Sequence, residues 1–363
     1  MAVTIAAGIL FAQPPRQPRL ESPIVGEDRR ITFRVRAPQA RAIVLNAPWA
    51  GEGKALTKNE DGVWSITVGP VPPAIYSYTF QMDGVRILDP HNTAVKHWSG
   101  GNASLVEVPS ATPLAYDLRD VPHGSLHVHY YASESGGNNR RLHVYTPPGY
   151  EEDPDQHYPV LYLLHGSGDN DSTWSEIGKA NLILDNLIAE GKAVPMLVVM
   201  PNGHPIPWSS GRRGLRSGNT EAFHDDLMEA AIPSVESRYR ARADRSQRAI
   251  AGLSMGGGQS LHCGMRSLDR FAWVGAFSAG APDPADDPLA KAFLADAERA
   301  NAELKLLWIA IGRDDFLLQR NEAYTAALDS AGIVHTYKVT DGGHSWPVWR
   351  DYLAELAPLL FRD

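Results

Sequence analysis

The chain has 363 residues, of which 43% are hydrophobic and 21% charged, with a formal net charge of -8. That length suits two domains, and that composition is of an ordinary folded protein with a sizeable core. The acidic balance argues against nucleic acid as a partner, since such binding leans on a basic face. The single cysteine, Cys263, excludes an internal disulfide and a cysteine-based metal site.

The start, residues 1–12, is apolar without a preceding Lys or Arg, and reads as a secretion-signal remnant or a misplaced start. A secreted or periplasmic protein is expected, with a cytoplasmic one left open. Pro14, Pro15 and Pro18 mark an extended linker completing residues 1–23. No stretch is long enough to span a bilayer, and no membrane partner is expected.

From Ile24 the chain is rich in strand signals. Arg30–Arg36 alternates Ile31, Phe33 and Val35 with polar residues, the period of a half-buried strand. Ala42–Asn46, Val63–Val68 after the Asp61-Gly62 turn, and Ile75–Met82 before Asp83-Gly84 read likewise. Short strands at this spacing predict a small immunoglobulin-like β-sandwich over residues 24–108, with a linker over 109–123. Trp64, Tyr76 and Tyr78 read as its core, with sugar stacking as the alternative.

From Gly124 the pattern changes. Leu126–Tyr131 and Arg141–Tyr145 are strands, and Val160–Leu164 is a run apolar enough for burial on both faces. Helical stretches (181–190, 222–239, 257–267, 321–331, 346–360) then alternate with strands (196–200, 248–252, 273–277, 306–311, 334–339). Such alternation predicts an α/β domain over residues 124–363 with a mostly parallel sheet.

Gly252-Leu253-Ser254-Met255-Gly256 joins one of these strands to a helix. This is the setting of a Gly-x-Ser-x-Gly nucleophile elbow, which makes Ser254 the candidate nucleophile. A serine hydroxyl needs a base, and the base an orienting acid. His344, in the loop before the last helix, is the expected base; His262 and His335 read as structural. Asp315, after the strand in "LLWIAIGRDDFLL", is the expected acid, with Asp314 and Asp341 as alternatives. The oxyanion donors are expected to be the backbone N–H groups of Met255 and Ser167. His165, Gly166, Trp174 and Trp346 are candidate substrate contacts, and Trp208 is a further aromatic near the expected cleft. His123, His127 and His129 are the one dense histidine group; a surface strand explains them, and neither metal nor cofactor is expected.

Two resemblances add to this reading. "ITFRVRAPQARAIVLNAPW", "DGVWSITVGPVPPAIYSYTFQMDG" and "LDPHN" resemble the isoamylase N-terminal or family 48 carbohydrate-binding sandwich. "YPVLYLLHGSGDNDSTW", "RAIAGLSMGGGQSL", "IGRDDFLL" and "GGHSWPVWRDYL" resemble carbohydrate esterase family 1, the feruloyl and acetylxylan esterases. The second resemblance implies an α/β-hydrolase that removes ferulate or acetate from cell-wall polysaccharide, with ester-decorated carbohydrate or phenolic esters as substrates. It also admits acyl-sugar and siderophore esters. Every expected catalytic element follows Gly124, so the sandwich is expected to matter for polymers and little for small esters.

Overall fold

The computed structural model describes residues 20–51, 53–135, 137–206 and 218–362; the apolar start and Trp208 lie outside them. The chain divides into two compact units. One runs up to Val95 and includes Ser104–Val108; the other comprises Lys96–Ala103 and everything from Pro109 onward. The sequence boundaries differ in two places. Residues 96–103 belong to the second unit although they interrupt sandwich sequence. Residues 109–123 are not a free linker either. Tyr116 is buried under the Arg350 guanidinium, and the Asn186 side chain donates to the carbonyls of Ala115 and Asp117.

The first unit is a β-sandwich. One sheet orders strands Ile24–Val25, Ile31–Arg36, Val63–Val68 and Thr57–Lys58. The other orders Lys54–Ala55, Ile43–Asn46, Ala74–Met82, Ala103–Val108 and Val95–Lys96, with Val85–Ile87 paired to Ala74–Met82. The alternating Ile31, Phe33 and Val35 point into a core shared with Leu45, Phe80 and Val106. Trp64 and Tyr78 are part of that core. The Tyr78 hydroxyl donates to Asp89, whose carboxylate also takes the Ser22 hydroxyl at 2.6 Å. A buried carboxylate is tolerable only with such partners.

The second unit is built on an eight-stranded sheet. Its strands are β1 (Ser125–Ser133), β2 (Asn138–Thr146), β3 (Val160–Leu164), β4 (Leu197–Pro201), β5 (Arg248–Leu253), β6 (Trp273–Phe277), β7 (Leu306–Gly312) and β8 (Thr336–Thr340). They lie in the order β1-β2-β4-β3-β5-β6-β7-β8. The β1–β2 and β2–β4 pairs are antiparallel and all later pairs parallel. This is the mixed, mostly parallel sheet of an α/β-hydrolase. Strands β3, β5 and β6 are buried at every position, as helix-covered parallel strands must be.

Helices Pro288–Ala295 and Ala297–Glu303 escape the apolar periodicity. Their start signals were present, since Asp287 and Asp296 cap them by accepting from the N–H of Ala290 and Arg299. The long helix expected over 222–239 is interrupted. It runs α-helical over Asn219–Asp226, opens into a π turn over Leu227–Ala231, and closes as Ile232–Glu236. Pro233 follows that turn; lacking an N–H, it cannot continue the ordinary ladder.

Candidate active site

The site forms where β3, β5, β7 and β8 end, the carboxyl edge at which open α/β sheets place their chemistry. Strand β5 runs into Ser254 and the helix Met255–Arg266 begins at once. The turn between them puts Ser254 at φ 55° and ψ -114°, a conformation that costs a side-chain-bearing residue energy. It persists because its surroundings leave no alternative. The Ser254 N–H donates to Phe277 O at 2.8 Å, and its carbonyl accepts from Gly258 and Gly280. The flanking glycines answer a packing demand. A Cβ on Gly256 would stand 2.5 Å from the His165 carbonyl oxygen, and one on Gly252 would stand 2.7 Å from both Gly256 and Leu164.

His344 reaches Ser254 from the loop after β8. Its Nε2 is 2.9 Å from Ser254 Oγ, and its Nδ1 is 2.9 and 3.1 Å from the two oxygens of Asp315. Asp315 is 4% exposed, while Asp314 is exposed. Burial raises the Asp315 pKa, but hydrogen bonds from His344, the Leu317 N–H and Ser278 outweigh it and hold the carboxyl below its ordinary value. Asp341 instead pairs with Arg313 at 2.7 Å on an open surface. His335 bonds the Ile333 carbonyl, and His262 packs against His224; neither joins the site. With the imidazole oriented by Asp315, Nε2 is available to take a proton from the serine hydroxyl.

The loop after β3 lies against Ser254: a Cβ on Gly166 would be 3.4 Å from Ser254 Cβ. His165 is buried and braces this loop. Gly203 N–H donates to its Nε2 at 2.8 Å, so its Nδ1 carries the proton and donates to Gly166 O at 2.8 Å. Burial lowers its pKa and favours this neutral form. The Gly166 carbonyl also accepts from Asp169 N–H. In a trans peptide C=O and N–H point opposite ways, so the Ser167 N–H faces away from both donors. Met255 N–H lies in the first turn of its helix, where backbone donors have no intrahelical acceptor.

The aromatic candidates need correcting. Trp174 is 1% exposed, donates to Leu164 O and packs on Phe277 and Trp346, so it is core rather than a substrate contact. Trp346 is buried too, against Trp174 and Trp349. Phe316 is open to solvent here, 77% exposed and 4.6 Å from the His344 ring. Sequence reasoning also missed Ser278, which bonds Asp315 and accepts from Trp349 Nε1 at 3.0 Å. His127 and His129 stack beside Tyr239 on β1, and among the described residues no group of three metal-ligating side chains is placed to hold an ion. No described helix is long and apolar enough to cross a membrane.

Fold and site together define an α/β-hydrolase. The Esterase family model matches residues 133–360, and the chain belongs to that family. It is similar to an endo-1,4-beta-xylanase/feruloyl esterase of Xylanibacter ruminicola, 33% identical over 361 residues. That alignment covers 96% of this chain but 47% of the relative, so the chain spans about half that protein's length. A solved ferulic acid esterase is 30% identical at a TM-score of 0.55, covering 66% of this chain and 97% of its own. The enterobactin esterase of Shigella flexneri, 20% identical, shares the fold over 92% of both chains at a TM-score of 0.68.

Proposed function

We propose that the protein removes ferulate or acetate from plant cell-wall polysaccharide through an acyl-enzyme on Ser254. The observation that carries the chemistry is the hydrogen-bonded chain from Ser254 Oγ through His344 to Asp315. Ser254 Oγ attacks the ester carbonyl while His344 Nε2 takes its proton. The oxyanion is received by the N–H groups of Ser167 and Met255. His344 then returns the proton to the departing sugar alcohol, leaving Ser254 acylated. Water, deprotonated by the same imidazole, releases the acid.

The choice of acyl group rests on the name of the Xylanibacter relative and on Phe316, whose exposed face beside His344 suits a phenolic ring. For the sandwich we propose polysaccharide binding. Its support is a groove of about 690 Å³ lined in part by Trp49, Lys54 and Ile66, with the Trp49 ring 4.8 Å from Tyr76. Export, expected from the apolar start, belongs to the same reading. The test is a hydrolysis panel of p-nitrophenyl acetate, methyl ferulate, acetylated xylan, an acyl-trehalose and a siderophore ester. Hydrolysis of feruloyl or acetyl-xylan esters at the highest kcat/KM is expected. Preference for the acyl-trehalose or siderophore ester would overturn the substrate assignment, and inactivity on all five would overturn the ester chemistry.

A further inference from the structure

Lys96 ends a short strand of the sandwich sheet and residues 97–99 follow it in sequence, yet residues 96–99 group with the hydrolase unit. There they meet one short stretch of backbone. Trp98 Nε1–H donates to Ser167 O at 3.1 Å. Ser99 N–H donates to Gly168 O at 2.9 Å. Lys96 Nζ stands 2.8 Å from Asp169 Oδ1 and 5.7 Å from the Trp346 ring centroid. Three consecutive residues of the loop after β3 are thus held by three residues of one neighbouring segment.

We propose that Lys96, Trp98 and Ser99 are positioning residues for ester hydrolysis, clamping the Ser167–Asp169 backbone so that the Ser167 N–H stays aimed at the developing oxyanion. The inference rests on the proposed role of that N–H. From another direction the same loop is held by His204, whose Nε2 accepts from Gly168 N–H at 3.0 Å. Burial above all, together with the Arg140 charge, lowers the His204 pKa to about 3, so it remains an acceptor at neutral pH. The peptide joining Ser167 to Gly168 is therefore fixed at both its C=O and its N–H. Gly168 adopts φ +82°, and a Cβ there would lie 2.2 Å from Trp98 Nε1 and 2.7 Å from Ser99 Oγ. The loop is thus shaped to receive this segment.

Oxyanion donors act because they are already in place when charge develops, and losing one costs about 10²–10³ in kcat. A clamp that lets the donor wander should cost less, about tenfold for each side chain. On this reading a chain cut to begin near Pro113 loses turnover on small esters as well as on polymers. That reverses the expectation that the first half matters only for polymers.

The test compares the full-length protein with Trp98→Phe, Lys96→Met and their double variant. Each is assayed on p-nitrophenyl acetate, for inhibition by a phenylboronic acid, and for melting temperature. Trp98→Phe keeps a ring but deletes the donor. The expected result is a kcat reduced about tenfold in each single variant and further in the double, with KM within about twofold. Boronate inhibition should weaken in parallel with kcat, since the tetrahedral adduct uses the same N–H. Lys96→Arg should restore most of the lost turnover. Unchanged kcat, a rise in KM alone, or a fall in kcat without weaker boronate binding would overturn the clamp. Wild-type protein that hydrolyses no ester would instead overturn the ester reading, so the two failures are distinguishable.

Discussion

Replacing Asp315 by asparagine changes one oxygen into an NH₂ group, and the surrounding donors dictate which one. Asp315 Oδ1 takes the Leu317 N–H at 2.9 Å, while Oδ2 is the nearer oxygen to His344 Nδ1, at 2.9 Å. An asparagine that keeps its carbonyl on Leu317 must turn its NH₂ toward Nδ1. Two donors cannot face each other, so His344 shifts its proton to Nε2. The imidazole then presents an N–H to Ser254 instead of a lone pair, and general-base catalysis is lost. A wrong tautomer in preserved geometry costs about 10⁴ in kcat, or about 5.5 kcal/mol of barrier. Asp314 is exposed one residue away, so Asp314→Asn should stay within about twofold. The assay is kcat and KM for both variants on p-nitrophenyl acetate, with melting curves to verify folding. A sensitive Asp314→Asn, or an Asp315→Asn keeping more than about a tenth of wild-type turnover, would refute the tautomer argument.

Three further outcomes are expected. Ser254→Ala should lower turnover by about 10⁴–10⁶ while leaving the melting temperature near wild type, as read by steady-state kinetics and calorimetry. Gly256→Ala should destabilise by about 1–3 kcal/mol in urea unfolding, because its Cβ would stand 2.5 Å from a backbone oxygen that cannot swing aside. His204 has a folded pKa depressed to about 3. The unfolded chain therefore binds the extra proton first, and the contribution to stability is complete above about pH 6.5 and lost as pH falls toward the folded value. His204→Gln should flatten the acid limb of stability against pH by up to about 1.4 kcal/mol per pH unit between those values, and an unchanged limb in denaturant titrations would count against it.

Much of the molecule is legible in the sequence. Val160–Leu164, Trp273–Phe277 and Val63–Val68 are strands with the bounds their apolar patterns predict. Local sequence suffices there because burial on one face or two leaves a periodic mark within the segment itself. The elbow was legible for a similar reason: its two glycines are required by the close approach of the helix to the end of β3. Asp315 and His344 could be put forward as candidates because the fold fixes which strand ends carry such residues, though the choice between Asp314 and Asp315 rests on spacing. Tertiary structure separates these neighbours physically, burying one carboxylate beneath His344 and leaving the other in water.

The rest was decided only in three dimensions. The sequence leaves Trp174 and Trp346 open to either a cleft or the core, and nothing in their own segments shows that each faces other rings. Ser278 and His204 act through partners far away in the chain, at Trp349 and Gly168. The segment 96–99 is the clearest case. Its neighbours in sequence are strands of the first unit, while the segment itself is part of the second unit and hydrogen-bonds a loop of that same unit. Periodicity reports which face of an element is covered. It carries no record of which distant backbone atom a side chain will meet, because that depends on how the whole chain has already closed around it.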